Sequence, residues 1–269
     1  MGYWDNKQSM AAQAAAHTHD MMIKYEKETT ESVKNSKIYY SKDGISNVRE
    51  PAPTNCHPAI ELWDKDSVTA ALKLRMEHPN SKICILNFAS YKEPGGKFIQ
   101  GSSAQEEALC HASNLYNILL RFDKVYYAPH RGKGATNRSL YYDEAIYTPN
   151  VVFSNNKFDV LTCAAPNWSA ASRFGVSLDE NNKALKSRIE FIKSILEENK
   201  VDIIILGAWG CGVFGQDPIT VASYFNTEFY HSIIPTIVYA IPDKNSINYR
   251  IFKQVVCNNI IKEKEKDAN

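Results

Sequence analysis

Four short, unbroken apolar runs limit what this chain can fold into: "KICILNFAS" (82–90), "KFDVLTCAAP" (157–166), "VDIIILGAW" (201–209) and "IIPTIVYAIP" (233–242). Runs of this length without polar alternation fit strands covered on both faces, as in parallel sheets. Between them lie stretches with helical spacing: "SSAQEEALCHASNLYNILL", "ALKSRIEFIKSILEENK" and "DPITVASYFNTEFYHS". Strands alternating with helices predict an α/β domain of three layers around a mixed, mostly parallel central sheet. Such sheets bind ligands outside the carboxyl ends of their strands, so the residues following each run are where function is to be sought.

The 269 residues allow one large domain, or one domain with an appended segment. Residues 1–50 are rich in Lys, Glu, Ser and Thr, with an Ala-rich patch at 11–16, and read as a helix followed by a solvated connector. Proline punctuation at Pro51, Pro53 and Pro58 then leads into "ELWDKDSVTAALKLRM". That segment sets Leu62, Val68, Ala71, Leu72 and Leu74 near helical spacing, with Asp66 or Ser67 as its cap. The division expected is an N-terminal helical and connector extension over 1–54 and the main domain over 55–269. The terminal "KEKEKDAN" reads as a frayed helix end in water.

Charge and cysteine usage narrow the function classes. With 31 Lys+Arg against 30 Asp+Glu, the net charge of +1 gives no overall field for DNA or an anionic membrane, so neither is an expected partner. No window approaches ~18 consecutive apolar residues, the N-terminus lacks a basic stretch followed by an apolar core, and Asn6 stands where a myristoylation signal wants Ser or Thr. Six cysteines without C-x-x-C spacing fit a reduced, intracellular protein, cytoplasmic or, if eukaryotic, nuclear, and nothing demands more than a monomer. Cys110 beside His111 is not metal spacing, and His17 with His19 lacks a partner cluster, so neither a metal nor a cofactor is expected.

Two of the apolar runs end in glycine turns, "NFASYKEPGGKF" and "LGAWGCGVFGQDP". Glycine lets the backbone enter positive φ and approach a ligand, so that successive N–H groups can bind an anion without Lys or Arg. The G-x-G-x-x-G of Gly210 to Gly215 is weak evidence for a dinucleotide fold, because too little chain follows it, and no P-loop motif occurs. After the first turn, Ser102 and Ser103 offer N-caps to a helix with Gln105 or Glu106 near N3. Leu109, Ala112, Tyr116 and Leu119 supply its apolar stripe. Glu106 and Glu107 either complement the helix dipole or do chemistry. Successive helical residues diverge by about 100°, so one acid is expected to face a ligand while the other braces it. A desolvated carboxyl group there could protonate a leaving oxygen and then accept a proton from water. Cys211, between two glycines and without a fixed His, reads as a small packing residue.

"LNFASYKEPGG" followed by "QEE" closely resembles the signature of the poly(ADP-ribose) glycohydrolases of bacterial type, whose fold is the macrodomain. "YYDEAIYTPNVVF" (141–153), "CAAPN" (163–167) and "LGAWGCGVFGQDP" (206–218) extend the resemblance over about residues 55–255. It implies hydrolysis of ribose–ribose bonds, poly(ADP-ribose) or ADP-ribosylated proteins as substrate, ADP-ribose as product, and no metal. Glu107 then corresponds to the catalytic acid/base and Glu106 to a ligand of the ribose hydroxyls, with Gln105 supporting the loop. Asn87 and Ser90 fall at polar contacts to the distal ribose, and Gly95 and Gly96 in the loop around the terminal ADP-ribose. Gly210, Cys211, Gly212, Val213 and Phe214 match the diphosphate-binding loop, with Phe214 against ribose. The family's third turn glycine is Lys97 here, which narrows the backbone or supplies a cation near the phosphates. "APHRGKGATNRS" (128–139) reads as a solvated loop or a rim for substrate beyond the terminal unit, and Trp168 and Phe214 as stacking candidates. The alternatives are a mono-ADP-ribosyl-protein hydrolase acting, for example, on arginine, and a non-catalytic ADP-ribose reader. Against the reader stands the QEE, since binding alone does not demand an acid beside the ribose.

Overall fold

A computed structural model describes residues 3–41 and 57–266. Pro51, Pro53 and Cys56 lie outside the described residues. Seven strands form one sheet in the order β1-β4-β5-β3-β6-β7-β2: β1 (Lys37–Tyr40), β2 (Ala59–Trp63), β3 (Ile83–Phe88), β4 (Glu144–Phe153), β5 (Asn156–Cys163), β6 (Ile203–Leu206) and β7 (Thr236–Ala240). The four apolar runs become β5, β3, β6 and β7, adjacent and parallel at the centre. β2 extends this parallel set at one edge, whereas β4 and β1 join antiparallel at the other. β3 and β6 are buried along almost their whole length, as their unbroken apolar sequences require.

Helices cover both faces. α1 (Tyr3–Asn35), α2 (Ser67–Glu77), α3 (Gln105–Ala112) and α4 (Leu115–Leu120) pack on one side, their core including Leu74, Phe98, Leu109, Ile118 and Tyr127. Beyond the one-turn α5 (Ala128–His130) and α6 (Trp168–Ala171), the other side carries α7 (Leu178–Glu198), α8 (Pro218–Tyr230) and α9 (Ile247–Lys266). Ile189, Ile192, Trp209, Phe225 and Phe252 fill that core.

Several expectations need correction. The segment read as a connector begins with β1, which hydrogen-bonds β4 and so belongs to the sheet. Leu62 lies in β2, and the helix after it starts only at Ser67, where Asp66 accepts from the Val68 and Thr69 amides at 2.9 Å. The single helix expected over 102–120 is two: Ser113 bridges to Phe153, and the Asn114 side chain accepts from the Val152 amide at 2.9 Å, which diverts the backbone. Ser102 and Ser103 do not cap α3; Ala104 holds the N-cap position and offers no side-chain acceptor. α1 packs closely: its Lys7 carbonyl would be 2.2 Å from a methyl group on Gly101, and Asn117 donates to Thr18 O at 2.9 Å.

Candidate active site

The carboxyl ends of β3, β5 and β6 open onto three segments: the glycine turn 89–97, the short 164–167 link, and the loop 207–217. Gln105, first residue of α3, fastens that helix to β3. Its Oε1 accepts from the Phe88 amide (2.8 Å), and its Nε2 donates to Leu86 O (2.9 Å) and Ser67 Oγ (3.1 Å). These bonds brace α3 against β3 and α2 and leave the next two residues fixed in the first turn.

Glu106 and Glu107 are both buried. Glu106 Oε1 accepts from Asn87 Nδ2 (3.1 Å) and Oε2 from the Ser90 amide (2.7 Å). Glu107 Oε1 accepts from the Lys97 amide (2.9 Å) and Oε2 from the Ala104 amide (3.0 Å). All four carboxylate oxygens thus meet uncharged donors, and three of the four donors are backbone N–H groups. Burial pushes the Glu106 carboxyl up to about 8, against the Ser90 and Asn87 hydrogen bonds and with the negative charge of Glu107 adding to the rise.

The acids do not diverge as the helical spacing predicts. A methyl group on Gly96 would stand 2.8 Å from Glu107 Oε1 and 2.9 Å from Glu106 Oε2, so both long side chains bend back to one point on the turn. Gly95 and Gly96 take positive φ, +66° and +61°, and Gly95 presses on Tyr116 and Cys110. Lys97 has φ −106°, which any residue adopts, so its departure from the three-glycine pattern costs the turn nothing. Asn87 also donates to Thr162 Oγ1 (3.3 Å), while its Oδ1 is buried without a hydrogen-bond partner among the described residues.

The second loop is tightly folded. Gly210 (φ +76°) packs against Ala165 and Gln216, and buried Gln216 donates to Pro166 O at 2.7 Å. Gly212 differs: a methyl group there would meet nothing within 4 Å, and Val213 is 83% exposed. Among the described residues the amides of Gly212, Val213 and Phe214 donate no hydrogen bond, giving three successive N–H groups at an open edge. Cys211 Sγ turns inward to Trp209 O, and burial pushes its thiol up to about 12, which fits packing and not nucleophilic attack.

A column of rings joins the two loops. Phe214 meets Tyr141 edge-on at 6.1 Å, Tyr141 stacks on Tyr91 at 4.3 Å, and Tyr91 stacks on His130 at 3.9 Å. Tyr91, Tyr141 and His130 were not read as site residues, although Tyr91 and Tyr141 lie within the segments that carry the resemblance and His130 within the 128–139 loop. The 128–139 loop is only partly a free rim, since His130 and Arg131 grip the glycine turn. Trp168 packs beside Leu140, Ala171 and Val176. Among the described residues no group of three or more His, Cys, Asp or Glu could hold a metal ion, and no helix is long and apolar enough to cross a membrane.

The sequence model described as "Microbial-type PARG, catalytic domain" matches residues 6–156, more than half the chain. The chain belongs to the microbial-type poly(ADP-ribose) glycohydrolase catalytic-domain family. The matched span takes in most of α1, the glycine turn and the glutamate pair; the 207–217 loop lies beyond it. Among solved structures, poly(ADP-ribose) glycohydrolase from Thermomonospora curvata is similar over 92% of this chain and 99% of its own, with 25% identity and a TM-score of 0.81. The same enzyme bound to the inhibitor ADP-HPD gives a TM-score of 0.78 at 25% identity, over the same shares of both chains. The Deinococcus radiodurans poly(ADP-ribose) glycohydrolase in complex with ADP-ribose is 26% identical, with a TM-score of 0.74 over 86% of this chain and 97% of that one. No curated protein sequence matches significantly. Membership of this glycohydrolase family, with its macrodomain-like α/β fold, bears out the expected fold and enzyme class.

Proposed function

We propose that this chain hydrolyses the ribose–ribose O-glycosidic bonds of poly(ADP-ribose), releasing ADP-ribose without a metal ion, with the α3 carboxyl pair as its acid/base apparatus. The observation that carries the reading is the convergence of Glu106 and Glu107 on Gly96, at the carboxyl edge of the sheet, in a chain of this family. In the proposed mechanism Glu107 protonates the glycosidic oxygen as the carbon–oxygen bond breaks, leaving an oxocarbenium-like carbon. The resulting carboxylate takes a proton from the water that attacks this carbon, so one water is consumed and the acid is restored. Glu106 and the unpartnered Asn87 Oδ1 hold ribose hydroxyls, and Ser90, Gly95 and Gly96 wrap the terminal unit. Gly210, Cys211, Gly212, Val213 and Phe214 line the diphosphate, bound through the exposed amides, with Phe214 against ribose. The similar enzymes solved with ADP-HPD and with ADP-ribose support ADP-ribose as the class of ligand.

One observation favours a second assignment of roles. With its carboxyl raised to about 8, Glu106 retains a proton at neutral pH and is itself a fit general acid. Turnover of labelled polymer in EDTA by Glu107→Gln and Glu106→Gln separates the two. The first assignment expects Glu107→Gln to lose about 10³-fold in kcat with ADP-ribose affinity kept, and Glu106→Gln to lose affinity as well. Loss of turnover with intact binding only in Glu106→Gln moves the acid to that residue. Full activity of both variants, or an EDTA-inactive wild type, overturns the proposal, and release only from mono-ADP-ribosylated arginine redirects it to single-unit targets. The free thiols of Cys84, Cys110, Cys163 and Cys211 support a reducing, cytoplasmic setting and action as a monomer without DNA or membrane partners is part of the same proposal.

A further inference from the structure

Behind the glycine turn, His130, Glu144 and Tyr91 close a ring of hydrogen bonds that the proposed reaction does not use. His130 is buried; its Nδ1 lies 2.9 Å from the Tyr91 carbonyl oxygen and its Nε2 2.5 Å from Glu144 Oε2. The same Glu144 oxygen accepts the Tyr91 hydroxyl at 3.0 Å. A carbonyl can only accept, so Nδ1 carries the hydrogen that meets the Tyr91 carbonyl, while Nε2 faces the Glu144 carboxyl. Burial would raise the Glu144 carboxyl, but the His130 hydrogen bond and charge, with Tyr91 and Arg188, outweigh it and hold the group below the ordinary range. Tyr126 closes the pocket edge-on to His130 at 4.7 Å.

The neighbouring residue extends the grip. Arg131 Nε donates to Lys92 O at 3.0 Å, and its guanidinium reaches Glu93 and Asp123. Residues 130 and 131 therefore hold three consecutive positions, 91 to 93, of the turn whose two ends donate to the acids: Ser90 N–H to Glu106 and Lys97 N–H to Glu107. Glu144 opens β4, where the next residue, Ala145, pairs with Cys163, so the ring is anchored to the sheet itself. A buried polar His–Glu pair is a poor stabiliser compared with apolar side chains of similar volume, so stability alone gives no reason for it.

We infer that His130 is a positioning residue for the acid pair: by tying the Tyr91 carbonyl to Glu144 it fixes the glycine turn, and through the Ser90 and Lys97 amides it sets where the two carboxylates stand. The inference rests on the reading that this pair does the chemistry. His130→Phe keeps the stack on Tyr91 and removes both ring nitrogens, whereas His130→Asn returns a donor toward the Tyr91 carbonyl. The readouts are kcat and KM on labelled poly(ADP-ribose), ADP-ribose affinity by calorimetry, and hydrogen exchange of the Ser90 and Lys97 amides. His130→Phe is expected to lose about 10–100-fold in kcat, with a clearly smaller loss of ADP-ribose affinity and both amides exchanging faster. His130→Asn should recover part of the kcat, and exposed Arg131→Ala should show a smaller loss with the same exchange pattern. A kcat within about twofold of wild type in His130→Phe, an equal loss of kcat and ADP-ribose affinity, or unchanged amide exchange would overturn the inference. Should His130→Phe fail to fold, unchanged exchange in Arg131→Ala overturns it alone. A fully active Glu107→Gln and Glu106→Gln pair defeats the chemical reading instead, and the exchange data still report on the turn.

Discussion

Gly96→Ala tests the convergence of the two acids most directly. The position has φ +61°, where an L side chain costs about 1–2 kcal/mol. The added methyl group would sit 2.8 Å from Glu107 Oε1 and 2.9 Å from Glu106 Oε2, whereas nonbonded carbon contacts settle nearer ~3.5 Å. Both oxygens are held by backbone or amide donors in a buried site, so relief comes from moving the turn or the carboxylates by roughly 0.5–1 Å. A displacement of that order at reacting groups costs about 10²-fold in rate. We expect kcat on labelled poly(ADP-ribose) to fall about 10²-fold, and Tm by about 2–8 °C from the backbone term. Calorimetric ADP-ribose affinity should fall as well, since Gly96 is assigned to wrap the terminal unit and Glu106 to hold its ribose, but by less than kcat, because the diphosphate is assigned to the other loop. A variant with kcat within about threefold of wild type would refute the reasoning, since Gly96 would then not be the contact on which the acids meet.

Glu106 carries a pH signature. Its carboxyl is raised from 4.5 to about 8 on folding, so the stability its proton brings is full below pH 4.5 and lost as pH rises through 8. Urea unfolding of wild type and Glu106→Gln should therefore diverge in favour of the variant between pH 5 and pH 8.5, by a few kcal/mol; a pH-independent difference contradicts the shift. Gly212→Val adds a side chain to open space, so Tm should hold while ADP-ribose affinity by calorimetry falls about tenfold or more, and unchanged affinity removes that loop from the site. Lys97→Gly restores a third glycine where φ is −106°, and should lower stability by about 0.4–1 kcal/mol through the unfolded chain; a rise would mean the turn is strained by Lys97.

What could be read from the sequence follows burial. β5, β3, β6 and β7 were visible because the centre of a parallel sheet demands unbroken apolar residues. The edge strand β2 and β4, next to the other edge, lack that mark. β2 is half exposed, so its Leu62 joined the helical pattern of the next segment, and β4 contains Pro149 and a bulge at Asn150, with φ +58°, held by Asp159. The break between α3 and α4 is made by Phe153 and Val152, about 40 residues away in the chain, which no local periodicity reports. At the site, the glycines and QEE were legible because their spacing is local. His130 meets Tyr91 only across 39 positions and Glu144 across 14, so that cluster exists only once the chain has folded.

The near-neutral charge of the chain and a polyanionic substrate are reconciled by the same device at two places. At the glycine turn, two adjacent buried carboxyl groups are received by backbone N–H groups and one Asn amide, without a cation. At the second loop, three successive amides stand at an open edge. A Lys or Arg side chain bonded to either anion would neutralise the acids or hold the product by a strong charge–charge attraction. In the proposed mechanism backbone dipoles fix anions at set positions and leave the carboxyl pair free to exchange a proton, with Glu106 held near 8 by burial where a lysine side chain bonded to it would have drawn it down. On this account the glycines matter for what they bring close, not for flexibility, and the surrounding ties from Gln105, His130 and Arg131 keep those dipoles in place.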